Sequence, residues 1–98
     1  MSFFLSFTPG AKQDLRELKK SAHLEKRFKA VSKALKLLTD NPRHPGLQTH
    51  PYTSLYGPKG EKVFEAYAEQ NTPAAYRIFF YYGKARGEVI IFAITPHP

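Results

Sequence analysis

A chain of 98 residues with 15 Lys and Arg against 8 Asp and Glu, a formal net charge of +7, has room for one hydrophobic core and too little for two. Its 42% hydrophobic content argues against a disordered chain, and the absence of cysteine excludes disulfides and thiolate metal ligation. The charge favours an anionic partner, whether RNA, DNA or an acidic protein, without choosing among them.

The apolar run Phe3 to Phe7 is broken by Ser6 and has no basic residue ahead of it, unlike a secretory signal. No later stretch approaches the ~20 apolar residues needed to cross a bilayer. A soluble, cytoplasmic protein without a membrane partner is the expectation.

Residues Ser2 to Thr8 read as a short Phe-rich strand, stopped by Thr8-Pro9-Gly10, where proline suits the first turn of a helix. Ala11, Leu15, Leu18 and Ala22 then recur at helical spacing, and Ser21 is placed to cap the next segment. A second helix follows from Leu24, Phe28, Val31, Leu35 and Leu38, one apolar stripe ending at Asp40-Asn41-Pro42, where proline forbids continuation. Nine basic residues fall between Lys12 and Lys36 (Lys12, Arg16, Lys19, Lys20, Lys26, Arg27, Lys29, Lys33, Lys36) against Asp14, Glu17 and Glu25. They are either a solvated helix surface or an anion-facing stripe.

From Pro42 to Gly60 four prolines and three glycines mark an irregular connector, part of which can pair as a brief edge strand around Tyr52 to Tyr56. Beyond it the period switches to two. Val63 to Glu69, Tyr76 to Tyr82 and Val89 to Thr95 read as an antiparallel meander turned at 70–73 and at Gly83-Lys84-Ala85-Arg86-Gly87. Val89 to Ile94 is apolar on both faces and belongs inside the sheet, with the Phe3–Phe7 strand as its second neighbour. The expected fold is a single α+β domain over 1–98: an N-terminal strand, a helical hairpin and three antiparallel strands, with the helices on one face of a four-stranded sheet.

If Tyr67 pairs with Arg77, alternation gathers Phe64, Ala66, Ala68, Tyr76, Ile78, Phe80 and Tyr82 on one face with Ile90, Phe92 and Ile94. That face suits the helix stripes. The other is expected to carry Glu65, Tyr67, Glu69, Arg77, Phe79, Tyr81, Val89, Ile91, Ala93, Thr95 and His97, with no third helix to cover it. A half-apolar open sheet of this kind signals binding.

Arg77 then lies across from Tyr67 and diagonal to Glu65, with His97 past the end of the last strand. RNA cleavage by transesterification needs a base for the 2′-hydroxyl, a cation for the phosphorane and an acid for the leaving 5′-oxygen. Arg77, Glu65 and His97 are the candidate catalytic residues for those tasks, and Tyr67, Tyr81, Lys84 and Arg86 are candidates for substrate binding. The alternatives are a simple cross-strand Glu65–Arg77 ion pair, ordinary strand tyrosines and a terminal histidine without a role. His23 reads as helix surface, and His44 and His50 as connector residues. Four scattered histidines without an acidic cluster make no metal site, and no cofactor is expected.

The order strand, two helices, three antiparallel strands, with the lone arginine of Ala75-Tyr76-Arg77-Ile78-Phe79-Phe80, resembles the RelE/ParE superfamily of type II toxins across nearly the whole chain. The resemblance carries the family arginine over to Arg77. The ending Ile94-Thr95-Pro96-His97-Pro98 is similar to members whose last strand closes with a catalytic histidine, and so carries that role over to His97. Two lysines that RelE places on the strand before the arginine are Glu65 and Tyr67 here, and RelE's tyrosine-bearing C-terminal helix has no counterpart. The resemblance implies a ribosome-dependent mRNA endoribonuclease that inhibits translation, held in a hetero-oligomer by an acidic antitoxin. Its alternatives are a ParE-like DNA gyrase inhibitor without nuclease activity and a non-toxic protein-binding module of the same fold.

Overall fold

The computed structural model describes residues 2–96. Strand β1 (Phe4–Phe7) leads into helix α1 (Pro9–Lys20), which starts as the Thr8-Pro9-Gly10 signal predicts: the Thr8 hydroxyl accepts the Ala11 amide and Pro9 fills the first turn. Ser21 does not cap the next segment. Its hydroxyl donates instead to the Glu17 carbonyl, closing the end of α1, and a 3-10 turn at Ala22–Leu24 joins α1 to helix α2 (Glu25–Asp40).

The sheet has five strands rather than four. The connector supplies β2 (His50–Tyr56), a seven-residue edge strand longer than the brief pairing expected around Tyr52 to Tyr56. Strands β3 (Lys62–Tyr67), β4 (Tyr76–Tyr82) and β5 (Glu88–Pro96) form the meander. The spatial order is β1-β5-β4-β3-β2, with β1 parallel to β5 and the other pairs antiparallel. The interior place of β5 between β1 and β4 follows from its apolar run.

Leu18, Val31, Leu35 and Leu38 of the helices pack on Ala66, Ile78, Phe80, Val89, Ile91 and Ile94 of the sheet to form the core. Each large side chain buried there contributes roughly 1.5–3 kcal/mol. Ile78, Phe80 and Ile94 take their expected side, but Val89 and Ile91 face the helices in place of Ile90 and Phe92. The cause is a register shift: Phe79 pairs with Ala93 and Phe80 with Ile91, so Phe92 is an extra residue in β5. One extra residue in a period-two element sends everything before it to the opposite face.

Candidate active site

The helix-free face is not an open apolar surface. Phe79 and Tyr81 are buried, covered by one another's neighbours: Tyr52 stands edge-on to Phe79 at 5.0 Å, and Phe92 packs against Phe79 at 6.3 Å and Tyr81 at 6.0 Å. The misplaced Phe92 is therefore part of what closes this side. At the other end of the same face the burial continues over charge. Glu65 is 2% exposed and Arg77 8%.

Tyr67 pairs with Arg77 and Glu65 with Phe79, the register expected from alternation. Arg77 Nε lies 3.6 Å from Glu65 Oε2, and its guanidinium stacks 3.7 Å from the Tyr67 ring centroid. Nη1 donates to the Glu69 carbonyl at 2.7 Å and to the Tyr76 carbonyl at 3.4 Å. Nε is buried and makes no hydrogen bond among the described residues. Out of water, the attraction between this arginine and carboxylate is much stronger than at a surface, and so is the penalty for removing either one.

His50, assigned to the connector by sequence, is the member of the site that the sequence reading missed. It opens β2 directly across from Glu65, and its Nε2 lies 2.9 Å from Glu65 Oε1. Nδ1 lies 2.8 Å from the Gln48 carbonyl, which can only accept, so Nδ1 carries a hydrogen. The contact to Glu65 then requires one more hydrogen, on the ring or on the carboxyl. His50 and Glu65 are thus placed to pass a proton between them. The imidazole also meets the Tyr67 ring edge-on at 5.6 Å.

The corner is fastened from the helical layer. Arg27 of α2 donates to the carbonyls of Ala74 (2.7 Å) and Pro73 (3.0 Å) and to Glu69 Oε1 (3.3 Å). That same carboxylate oxygen accepts the Tyr76 amide at 3.0 Å. Ala74 has φ 51°, a left-handed conformation costing roughly 1–2 kcal/mol for a residue with a Cβ, and the Arg27 bonds hold it there. The Glu69 backbone carbonyl, within this fastened turn, orients Arg77.

The remaining candidates are not brought together. Tyr81 sits four residues along β4 from Arg77, roughly 13 Å at ~3.3 Å per residue, and shares a cleft with Lys84 and Glu61 at the opposite end of the sheet. Burial, and then the charges of Glu61 and Glu88, push its phenol above the ordinary tyrosine range. Lys84 and Arg86 are exposed in the β4–β5 turn at that far end. β5 reaches Pro96, paired with Tyr76 one residue from Arg77, while His97 lies outside the described residues. No helix of the described residues is long and apolar enough to cross a membrane.

No family model and no curated protein matches the sequence. Among solved structures the chain is similar to the YoeB/ParE toxin from Agrobacterium tumefaciens, at TM-score 0.69 and 11% identity over 96% of this chain and 98% of that one. It is also similar to the archaeal RelE–RelB complex from Pyrococcus horikoshii OT3, at TM-score 0.63 and 14% identity over 98% of this chain and 96% of that one. At these identities the likeness establishes the fold, which is of the RelE/ParE toxin type.

Proposed function

We propose that this chain is the toxin of a type II toxin–antitoxin pair and that it cleaves mRNA on the ribosome by metal-independent transesterification. The observation that carries the reading is the constellation of buried Glu65 and Arg77 with His50 and Tyr67 at its edge, on the helix-free face of a RelE/ParE-type sheet. The His50–Glu65 pair receives the 2′-hydroxyl proton as the 2′-oxygen attacks phosphorus. Arg77, through its guanidinium, holds the non-bridging oxygens as charge builds on them. The bond to the 5′-oxygen breaks, leaving a 2′,3′-cyclic phosphate, and His97 protonates the departing 5′-oxygen. Tyr67 presents a ring for base stacking beside Arg77. The RelB bound to the archaeal RelE neighbour supports an antitoxin as partner, and the net charge of +7 suits an acidic one.

Induced expression in a bacterial host tests this. Growth arrest with mRNA ends mapping inside codons of translated messages is expected, and Arg77→Ala, His50→Ala and His97→Ala should each lower cleavage by about 10²-fold or more. Undiminished toxicity of Arg77→Ala rejects the nuclease. A second reading, ParE-like inhibition of DNA gyrase, draws on a separate observation. Arg77 and Glu65 are engaged with each other inside the protein, while Lys84 and Arg86 are exposed at the opposite end. It predicts DNA-damage signalling, intact mRNA, and loss of toxicity from Lys84→Glu with Arg86→Glu.

A further inference from the structure

A groove of about 540 Å³ runs between α2 and the connector and is bounded at one end by Tyr67. Its floor is Ala30, Ala34 and Leu37, small or aliphatic groups that admit a flat ring. Its polar lining consists of donors without a carboxylate among them. Lys33 lines it and forms no ion pair among the described residues. His44 lines it as well, with Nδ1 accepting the Gly46 amide at 3.0 Å. That bond fixes the tautomer: the ring's hydrogen sits on Nε2, a donor with no partner among the described residues. Gln70, bonded to Gln48 at 2.8 Å and to the Gly46 carbonyl at 3.3 Å, ties the connector to the end of β3 and keeps the groove formed. Tyr67 borders both places: its ring faces the Arg77 guanidinium on the helix-free side, and the residue also bounds the groove.

We infer that this groove is the subsite for the nucleotide next to the phosphate held by Arg77, in single-stranded RNA, with its base on the apolar floor and its own phosphate on Lys33 and His44. The inference rests on the nuclease reading and adds to it a second binding position reached around Tyr67. Three observations select a nucleotide as occupant. The volume is within the 300–1,000 Å³ typical of small-ligand sites. The donors match an anion, and the groove adjoins the arginine's surroundings at a shared residue, Tyr67. The groove between β1 and the helices, lined by Phe7, Leu15 and Phe28 under Lys12, Arg16 and Lys19, is more basic but does not adjoin Arg77's surroundings. It serves as the internal control.

The test measures binding of a fluorescein-labelled, fully 2′-O-methylated RNA hexamer, which cannot be cleaved, by anisotropy at one fixed salt concentration. Lys33→Glu and His44→Ala should each raise Kd by about tenfold, the effect of one lost phosphate or stacking contact, while Lys12→Glu should raise it less than about threefold. These positions are outside the core, and thermal melts confirm folding. Equal losses from Lys33→Glu and Lys12→Glu overturn the subsite and leave only diffuse charge. Arg77→Ala separates the two levels. If it weakens binding while Lys33→Glu only matches Lys12→Glu, the groove fails and the nuclease reading survives. If Arg77→Ala changes nothing while Lys33→Glu still weakens binding, the nuclease reading fails and with it the placement beside a reacting phosphate. A wild-type protein that does not bind the hexamer sinks both.

Discussion

The two faces of the sheet reach burial by different routes. On one, Ile78, Phe80, Val89 and Ile91 lie under two helices whose stripes were made for them. On the other, Phe79 and Tyr81 are nearly as well hidden, at 3% and 6% exposure, with Tyr52 and Phe92 as their cover. The first arrangement tolerates only apolar groups. The second admits a carboxylate and a guanidinium, because the edges of the site supply partners: His50 from β2, the Tyr67 ring, and a carbonyl from the β3–β4 turn. A sheet face closed by its own side chains is thus a way to keep charged groups paired in a low dielectric.

The comparison can be broken most sharply at adjacent residues. Phe80→Ala, beneath the helices, should cost about 3–5 kcal/mol in urea unfolding, and Phe79→Ala about 2, because its cover of side chains can settle into the gap. Equal costs would mean that the two faces are packed alike. Next in size, Arg77→Ala should destabilise by roughly 2–3 kcal/mol, since it removes the cation beside the buried Glu65 carboxylate, whose contact to His50 remains. The Arg77→Met, Glu65→Leu pair should recover most of that loss while abolishing activity, and a double mutant no more stable than Arg77→Ala would deny the coupling. The smallest effect concerns Tyr81. Its folded-state pKa is raised, so the stability it contributes is complete below about pH 10, where the unfolded phenol ionises, and declines as pH climbs through the folded value. Tyr81→Phe should flatten that alkaline decline in melts between pH 9 and 11 and change neutral stability by under about 0.5 kcal/mol. An unchanged slope would place the alkaline transition elsewhere.

Much of this was legible from residue pattern. The start of α1, the stop of α2, the meander and the Tyr67–Arg77 register follow from proline, the Thr8 cap and alternation, whereas the Ser21 cap does not form. The errors share a cause. In Val89–Ile94 both faces are apolar, so an inserted residue leaves no trace in the pattern, and the shift at Phe92 was invisible. His50 was hidden in the same way. A regular continuation of the Tyr56–Lys62 pair would set it across from Ala68, and only the irregularity between Pro51 and Tyr56 draws it to Glu65. The one available signal was the β-forming run His50-Pro51-Tyr52-Thr53 ahead of the Gly57–Gly60 turn. Tyr81 falls on the face of Arg77 because alternation reports which face a residue occupies and says nothing of distance along it, and the turn cations Lys84 and Arg86 lie at the same far end.

Arg27 ties these parts together mechanically. By gripping Pro73, Ala74 and Glu69 at once, it makes helix α2 and the turn that aims Arg77 move as one lever. The outer helix and the guanidinium on the far side of the sheet are thus connected through one turn.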